Sequence, residues 1–197
     1  VDSNGNIQWQ NTIGGADYDY LYSVQQTADG GYLIGGYSNS GATGDKLEVS
    51  NGSYDFWIVK LDSLGNELWQ NTIGGNDGEF LLCIELTGDG GFLAGGTSKS
   101  NISGDKTANC KGVFDFWIVK FDSLGTMEWQ NTIGGSESEV LNSVSQTEDG
   151  GYVLAGRSGS NISGDKSEDN MGDFPYYDYW VVKTDSIGNV QWENTIG

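Results

Sequence analysis

The sequence predicts an all-β fold of tandem four-stranded antiparallel blades, β-propeller-like, with about three blades forming part of a larger ring or array. Three observations carry this. The unit Asp-Ser-x-Gly-x-x-x-Trp begins at Asp2, Asp62, Asp122 and Asp185, and its tryptophans (Trp9, Trp69, Trp129, Trp192) recur at intervals of 60, 60 and 63 residues. The apolar segments are short, rich in β-branched and aromatic residues, and bounded by Gly, Asn, Asp and Ser. No stretch has a helical period, and the single proline is Pro175.

The second copy shows each strand in turn. Phe80–Leu86 is a mixed apolar and polar strand, and the Asp-Gly-Gly turn that follows supplies the positive φ of a tight hairpin. Phe92–Thr97 ends in the pair Gly95-Gly96, matched by Gly35-Gly36, where the lack of side chains allows close approach between packed sheets. A long polar loop leads to Asp115–Phe121. That strand, like Phe56–Leu61, is apolar on both faces and predicts cover on both. The Asp-Ser-x-Gly turn then leads to the fourth strand. Three repeats, at about 16–75, 76–135 and 136–197, make one domain over 1–197, with an extra fourth-strand segment within 1–15. The segments Gly5–Gly14 and Gly188–Gly197 are near copies. That duplication suits a window of a longer array, or chains that combine by self-association, better than a closed three-unit ring. A three-fold β-trefoil or β-prism is the alternative fold.

Composition limits function. The net charge is −19 with only nine Lys and Arg, so nucleic acid is excluded as a partner, because phosphate neutralisation needs clustered cations. No run is long enough to insert into a membrane as a helix. Without histidine no Ser-His-Asp or Cys-His arrangement is available, and no CxxC, HExxH or P-loop occurs. No catalytic residues are assigned, although the plentiful carboxylates keep an acid-pair glycoside hydrolase as an alternative. Cys83 reads as a small core residue and Cys110 as a loop residue, with a disulfide between them left open.

Three sets of residues are candidates for binding. The loop between the second and third strands repeats Gly-Asp-Lys, with Asp45, Asp105 and Asp165, and each third strand opens on Asp55, Asp115 or Asp178. Two such aspartates around a Gly/Asn/Ser-rich loop offer oxygen ligands to Ca²⁺; the competing reading is that they cap turns, with the following Lys solvated or paired. A second acidic cluster (Asp17 and Asp19, Asp77 and Glu79, Glu137 and Glu139) has i, i+2 spacing that predicts both carboxylates on one side. The aromatics Tyr18, Tyr20, Phe174, Tyr176, Tyr177 and Tyr179 are candidates for a glycan platform.

The segments Asp-Phe-Trp-Ile-Val-Lys-Leu-Asp-Ser-Leu-Gly-Asn, Trp-Gln-Asn-Thr-Ile-Gly-Gly and Ser-Asn-Ile-Ser-Gly-Asp-Lys resemble repeats of large secreted, surface-anchored proteins of the Bacteroidota, many of them type IX secretion substrates. The resemblance covers the whole chain. It implies a propeller-like fold and an extracellular or cell-surface location. It also implies O-glycan acceptors where Asp-Ser precedes an aliphatic residue, at Ser63, Ser123 and Ser186. The expected function is a non-enzymatic repeat module acting as an adhesin, surface or filament-forming scaffold. The alternative is a lectin-like glycan-binding module assisted by Ca²⁺.

Overall fold

A computed structural model describes residues 1–172 and 176–197. The described residues form three four-stranded antiparallel sheets and no helix. The first blade contains β1 (Asp19–Gln26), β2 (Tyr32–Ser38), β3 (Asp55–Leu61) and β4 (Glu67–Ile73). The second contains β5 (Glu79–Leu86), β6 (Phe92–Ser98), β7 (Asp115–Phe121) and β8 (Met127–Ile133). The third contains β9 (Glu139–Gln146), β10 (Tyr152–Ser158), β11 (Asp178–Thr184) and β12 (Val190–Ile196). Each is a simple meander in which chain neighbours pair.

The blades stack face to face in series, the second between the first and third. No strand of the first blade packs substantially on the third. The trefoil and prism alternatives need three equivalent interfaces, and this stack has two. Two of the three core clusters lie in those seams; the third, Trp57, Val59 and Leu61, lies at the outer face of the first blade with Ile13, Tyr32 and Ile34 packed on it. In the first seam, Phe56 meets Trp117 with ring centroids 4.8 Å apart; in the second, Phe116 meets Trp180 at 5.0 Å. Trp57, Trp117 and Trp180 are all buried, and β3 and β7 are buried along their whole length. The two-faced apolar pattern of the third strand therefore reports its position between neighbours. Gly35 serves the same close packing, since a Cβ there would lie 2.5 Å from Ile84 Cδ1 of the next blade.

The expected extra strand near the amino terminus is not a strand. Residues 6–13 run without a ladder partner, because no third strand lies beside them. They nevertheless occupy the place of a preceding blade's fourth strand. Trp9 packs edge-on against Tyr32 at 5.6 Å, as Trp129 packs on Tyr152 at 5.9 Å. Asn11 Nδ2 donates to the Gly65 carbonyl at 3.1 Å, as Asn131 donates to Gly188 at 2.7 Å.

Those contacts explain the defining motif. Asp62 Oδ1 accepts the amides of Leu64 and Asn66, at 2.8 and 2.9 Å, and closes the turn. Gly65 and Gly125 have φ of 83° and 81°. The motif Trp does not anchor its own strand in its own blade. It lies over the turn of the next blade, where a Cβ on Gly125 would stand 3.0 Å from the Trp69 ring. Gly125→Ala should therefore cost more than the roughly 1 kcal/mol of a forced positive φ. Gly90→Ala, at φ 88° with open space around it, should show that strain alone. Equal losses in urea unfolding would refute the tryptophan contact as the reason for the glycine.

Candidate functional site

The residues that repeat with the sequence period converge at the seams. Ser53 donates its amide to the Asp77 carbonyl and Glu79 donates to the Tyr54 carbonyl, both at 2.7 Å, so the run into β3 pairs in parallel with the run into β5. The same bonds recur where Val113 donates to Glu137 and Glu139 donates to Phe114, at 2.6 and 2.7 Å. This seam encloses two carboxylates. A Cβ on Gly74 would lie 2.3 Å from Asp55 Oδ1 and 2.8 Å from Glu79 Oε2, so the two acids face each other across that glycine.

Both acids are fully buried and solvated by the protein. Asp55 accepts the amides of Asn51 and Gly52. Glu79 accepts the Gly75 amide at 2.6 Å, the Ser98 hydroxyl at 2.8 Å and the Ser100 amide at 3.3 Å. Asp115 and Glu139 repeat the arrangement, with Glu139 accepting the Gly135 amide and the hydroxyls of Ser158 and Ser160. Burial pushes Asp55 and Asp115 up to about 6; the backbone amides oppose the shift, and the facing glutamate adds to it. An acid pair sealed from solvent in this way has no path to a glycosidic bond.

The paired-aspartate reading of the loop is corrected. Asp45 and Asp55 do not converge: Asp45 accepts the Gly14 amide at 3.1 Å, at the outer face of the first blade, whereas Asp55 lies in the seam on the opposite side. Asp105 accepts the Gly74 amide at 3.2 Å, and Asp165 the Gly134 amide at 2.9 Å. Asp178 accepts the Met171 amide at 2.5 Å. Among the described residues no three acidic, cysteine or histidine side chains converge on a point suited to a metal ion. The cation inside each loop is its own lysine. Lys46 Nζ is buried and donates to the carbonyls of Ser40 and Glu48, at 3.1 and 2.7 Å. Lys106 donates to the Ala108 carbonyl at 2.8 Å and the Thr132 hydroxyl at 2.6 Å. Lys166 likewise holds Glu168 and Thr195. Burial lowers all three ammonium pKa values from their ordinary value. The solvated or ion-paired lysine of the sequence reading is thus a loop clamp that satisfies carbonyls.

The i, i+2 acids also part company. The chain bends at 76–77, so Glu79 turns inward while Asp77 stays at the surface, 3.5 Å from Lys99. Cys83 and Cys110 are free thiols; Cys83 packs beside the second seam, and its burial pushes it up to about 12.

The aromatic candidates fall into two groups. Tyr18 and Tyr20, at 6.1 Å, open a row of rings that continues through Tyr37, Tyr54 and Phe80 to Phe114. Tyr22 stacks on Tyr37 at 5.2 Å, with hydroxyls 3.2 Å apart. Tyr176, Tyr177 and Tyr179 lie at the other end of the stack, all exposed, with the Arg157 guanidinium 5.2 Å over Tyr177. Phe174 lies outside the described residues. Sequence reasoning missed Tyr22, Tyr37, Tyr54, Phe80 and Phe114. The available signal was an aromatic directly before each third-strand aspartate (Tyr54, Phe114, Tyr177). Ser63, Ser123 and Ser186 are exposed at the outer corners of their turns.

No protein family matches the chain. Over 158 residues, 76% of its length, it is 23% identical to the regulatory protein FlaEY of Caulobacter vibrioides, and it spans 17% of that relative. A crystal structure of a protein of unknown function from Bacteroides caccae superposes over 99% of this chain and 73% of its own, at TM-score 0.37 and 12% identity. Among the described residues no helix is long and apolar enough to cross a membrane.

The seam acids set a pH dependence. With Asp55 and Asp115 raised to about 6, the native state binds more protons than the unfolded chain between pH ~4 and ~6. Their contribution, on the order of 3 kcal/mol each, is present at low pH and lost as pH rises through 6. Asp89 and Asp149 act oppositely: their Thr-x-Asp-Gly-Gly turns and lysine partners hold them at about 2, so their contribution is lost below pH ~4. The melting temperature should peak near pH ~4 and fall as pH rises towards ~6, and Asp55→Asn with Asp115→Asn should flatten that fall. A melting curve that rises steadily to pH 8 would contradict the assignment.

Proposed function

We propose that the chain is a non-enzymatic repeat scaffold of the extracellular or cell-surface kind. Its blades belong to a propeller-like ring or array that displays loops and turns to partners. One observation carries this reading: the polar residues that recur in every copy are spent on building the frame, at the seams between blades and in the loops and turns within them. Asp55 and Glu79 are closed inside a seam, Lys46 and its equivalents clamp loops, and Asp62 closes a turn. What varies between copies is the second strand, where half-buried Tyr37, buried Thr97 and exposed Arg157 stand at equivalent positions. Variable groups on an invariant frame suit display and adhesion. The exposed Ser63, Ser123 and Ser186 suit surface modification of such a frame.

A second reading, glycan binding, is favoured by the row of rings from Tyr18 to Phe114. Tyr18, Tyr20 and Tyr22 are exposed, and sugars pack on aromatic side chains while phenol hydroxyls meet their hydroxyl groups.

A glycan array combined with a panel of chromogenic glycosides tests both. The scaffold reading expects no turnover of any glycoside. Turnover abolished by replacing one carboxylate, but not its repeat equivalents, would sink it. If glycans bind, Tyr20→Ala with Tyr37→Ala should weaken binding by about 1.4–2.8 kcal/mol, ten- to a hundredfold. Chelator should leave binding unchanged, because lysine ammonium groups already fill the loops. Loss of binding on chelation would restore the calcium reading.

A further inference from the structure

The two ends of the stack are halves of the junction that is buried twice inside it. At the open face of the first blade, Leu21 and Val24 are about 60% exposed (62% and 61%), whereas Leu81 and Ile84 at the same positions are 0% and 3% exposed. At the open face of the third blade, Tyr179 is 71% exposed where Phe56 and Phe116 are at 0%. Phe56 and Phe116 each meet the tryptophan of the following blade. The corresponding tryptophan at the open end is Trp57, and beside it lies a cavity of about 340 Å³ lined by Trp9, Ile13, Leu21 and Ile34. Donor and acceptor sets are thus both present in one chain, at opposite ends.

Residues 6–13 add a second, independent observation. They sit where a preceding blade's fourth strand belongs, but form no ladder with anything. Their sequence differs from the end of the third blade only at Ile7/Val190 and Gln10/Glu193 across Gly5–Gly14 and Gly188–Gly197. Trp192 and Asn194 of β12 therefore carry the groups that Trp9 and Asn11 present to Tyr32 and Gly65. β12 comes with its own ladder to β11.

We propose that the open ends bind each other between copies of this chain, with β12 of one copy replacing residues 6–13 of the next. This rests on the scaffold reading and names its partner. The replacement loses one edge-on ring contact and one amide bond at Gly65, and re-forms both. It also fills the cavity beside Trp57 with Tyr179 and Val181 from a complete blade. Copies joined end to end through this junction close into a ring or continue as a filament. The tethered segment competes from within its own chain at an effective concentration near millimolar, so association is reversible and concentration-dependent.

Sedimentation velocity of the full chain, from micromolar to millimolar concentration, tests the proposal. The expected result is a monomer that passes to a dimer or longer series. Leu21→Asp with Val24→Asp should abolish association without moving the unfolding midpoint, because both side chains are already exposed. Trp192→Ala should weaken association about tenfold, and Trp9→Ala, by freeing the site, should tighten it about tenfold. A chain that stays monomeric at every concentration, with Trp9→Ala included, overturns docking between copies. Association that Trp9→Ala weakens as Trp192→Ala does overturns the strand replacement. Neither outcome touches the scaffold reading, which falls only on catalytic turnover.

Discussion

The seam around Gly74 and Gly134 is the constraint on which the stack depends. Each seam buries an aspartate from one blade against a glutamate from the next, and neither acid has a cation in direct contact. Burying like charges costs several kcal/mol unless hydrogen bonds replace water. The amides of 51, 52 and 75, with the hydroxyl of Ser98, provide that replacement. Those donors are aimed only when the loop before β3 and the Gly-Gly turn before β5 hold one relative position. The acids therefore act as a registry device, tolerated because the seam also buries Phe56 and Trp117. A blade displaced by one residue would strand two carboxylates in an apolar contact.

The same logic shows what was legible in the sequence. Strand number, strand order and the double cover of the third strand follow from periodicity, because burial on two faces leaves no polar alternation in Phe56–Leu61. The turn at Asp62 was legible because its chemistry is local. Contacts that join different repeats were not. Nothing in one copy of Trp-Gln-Asn says that Trp69 covers Gly125 and that Asn71 donates to its carbonyl, because those partners lie 54 to 56 residues onward. The lysine of Gly-Asp-Lys was misread for a similar reason. A lysine in a polar loop is ordinarily solvated, and only the loop's closure brings the carbonyls of 40 and 48 onto Nζ. The aspartates flanking that loop looked like a ligand pair because sequence spacing conceals that they belong to opposite faces of the blade.

The fate of the cations changes the meaning of the net charge. Of nine basic residues, six are buried: Lys46, Lys106 and Lys166 in the loops, and Lys60, Lys120 and Lys183 in the third strands. Each strand lysine reaches the Asp-Gly-Gly turn of its own blade, as Lys60 does to Asp29 at 3.0 Å. Of the rest, Lys99 and Lys111 pair with Asp77 and Asp165, and Arg157 lies over Tyr177. The formal charge of −19 thus understates the acidity that a partner meets. Long-range attraction would select cationic partners and repel anionic polymers. Contact between like-charged copies must come from the apolar end faces alone, where Leu21, Val24 and Tyr179 carry no charge. The internal seams already operate on that principle: acids there are neutralised by backbone donors, and rings and aliphatic side chains supply the adhesion.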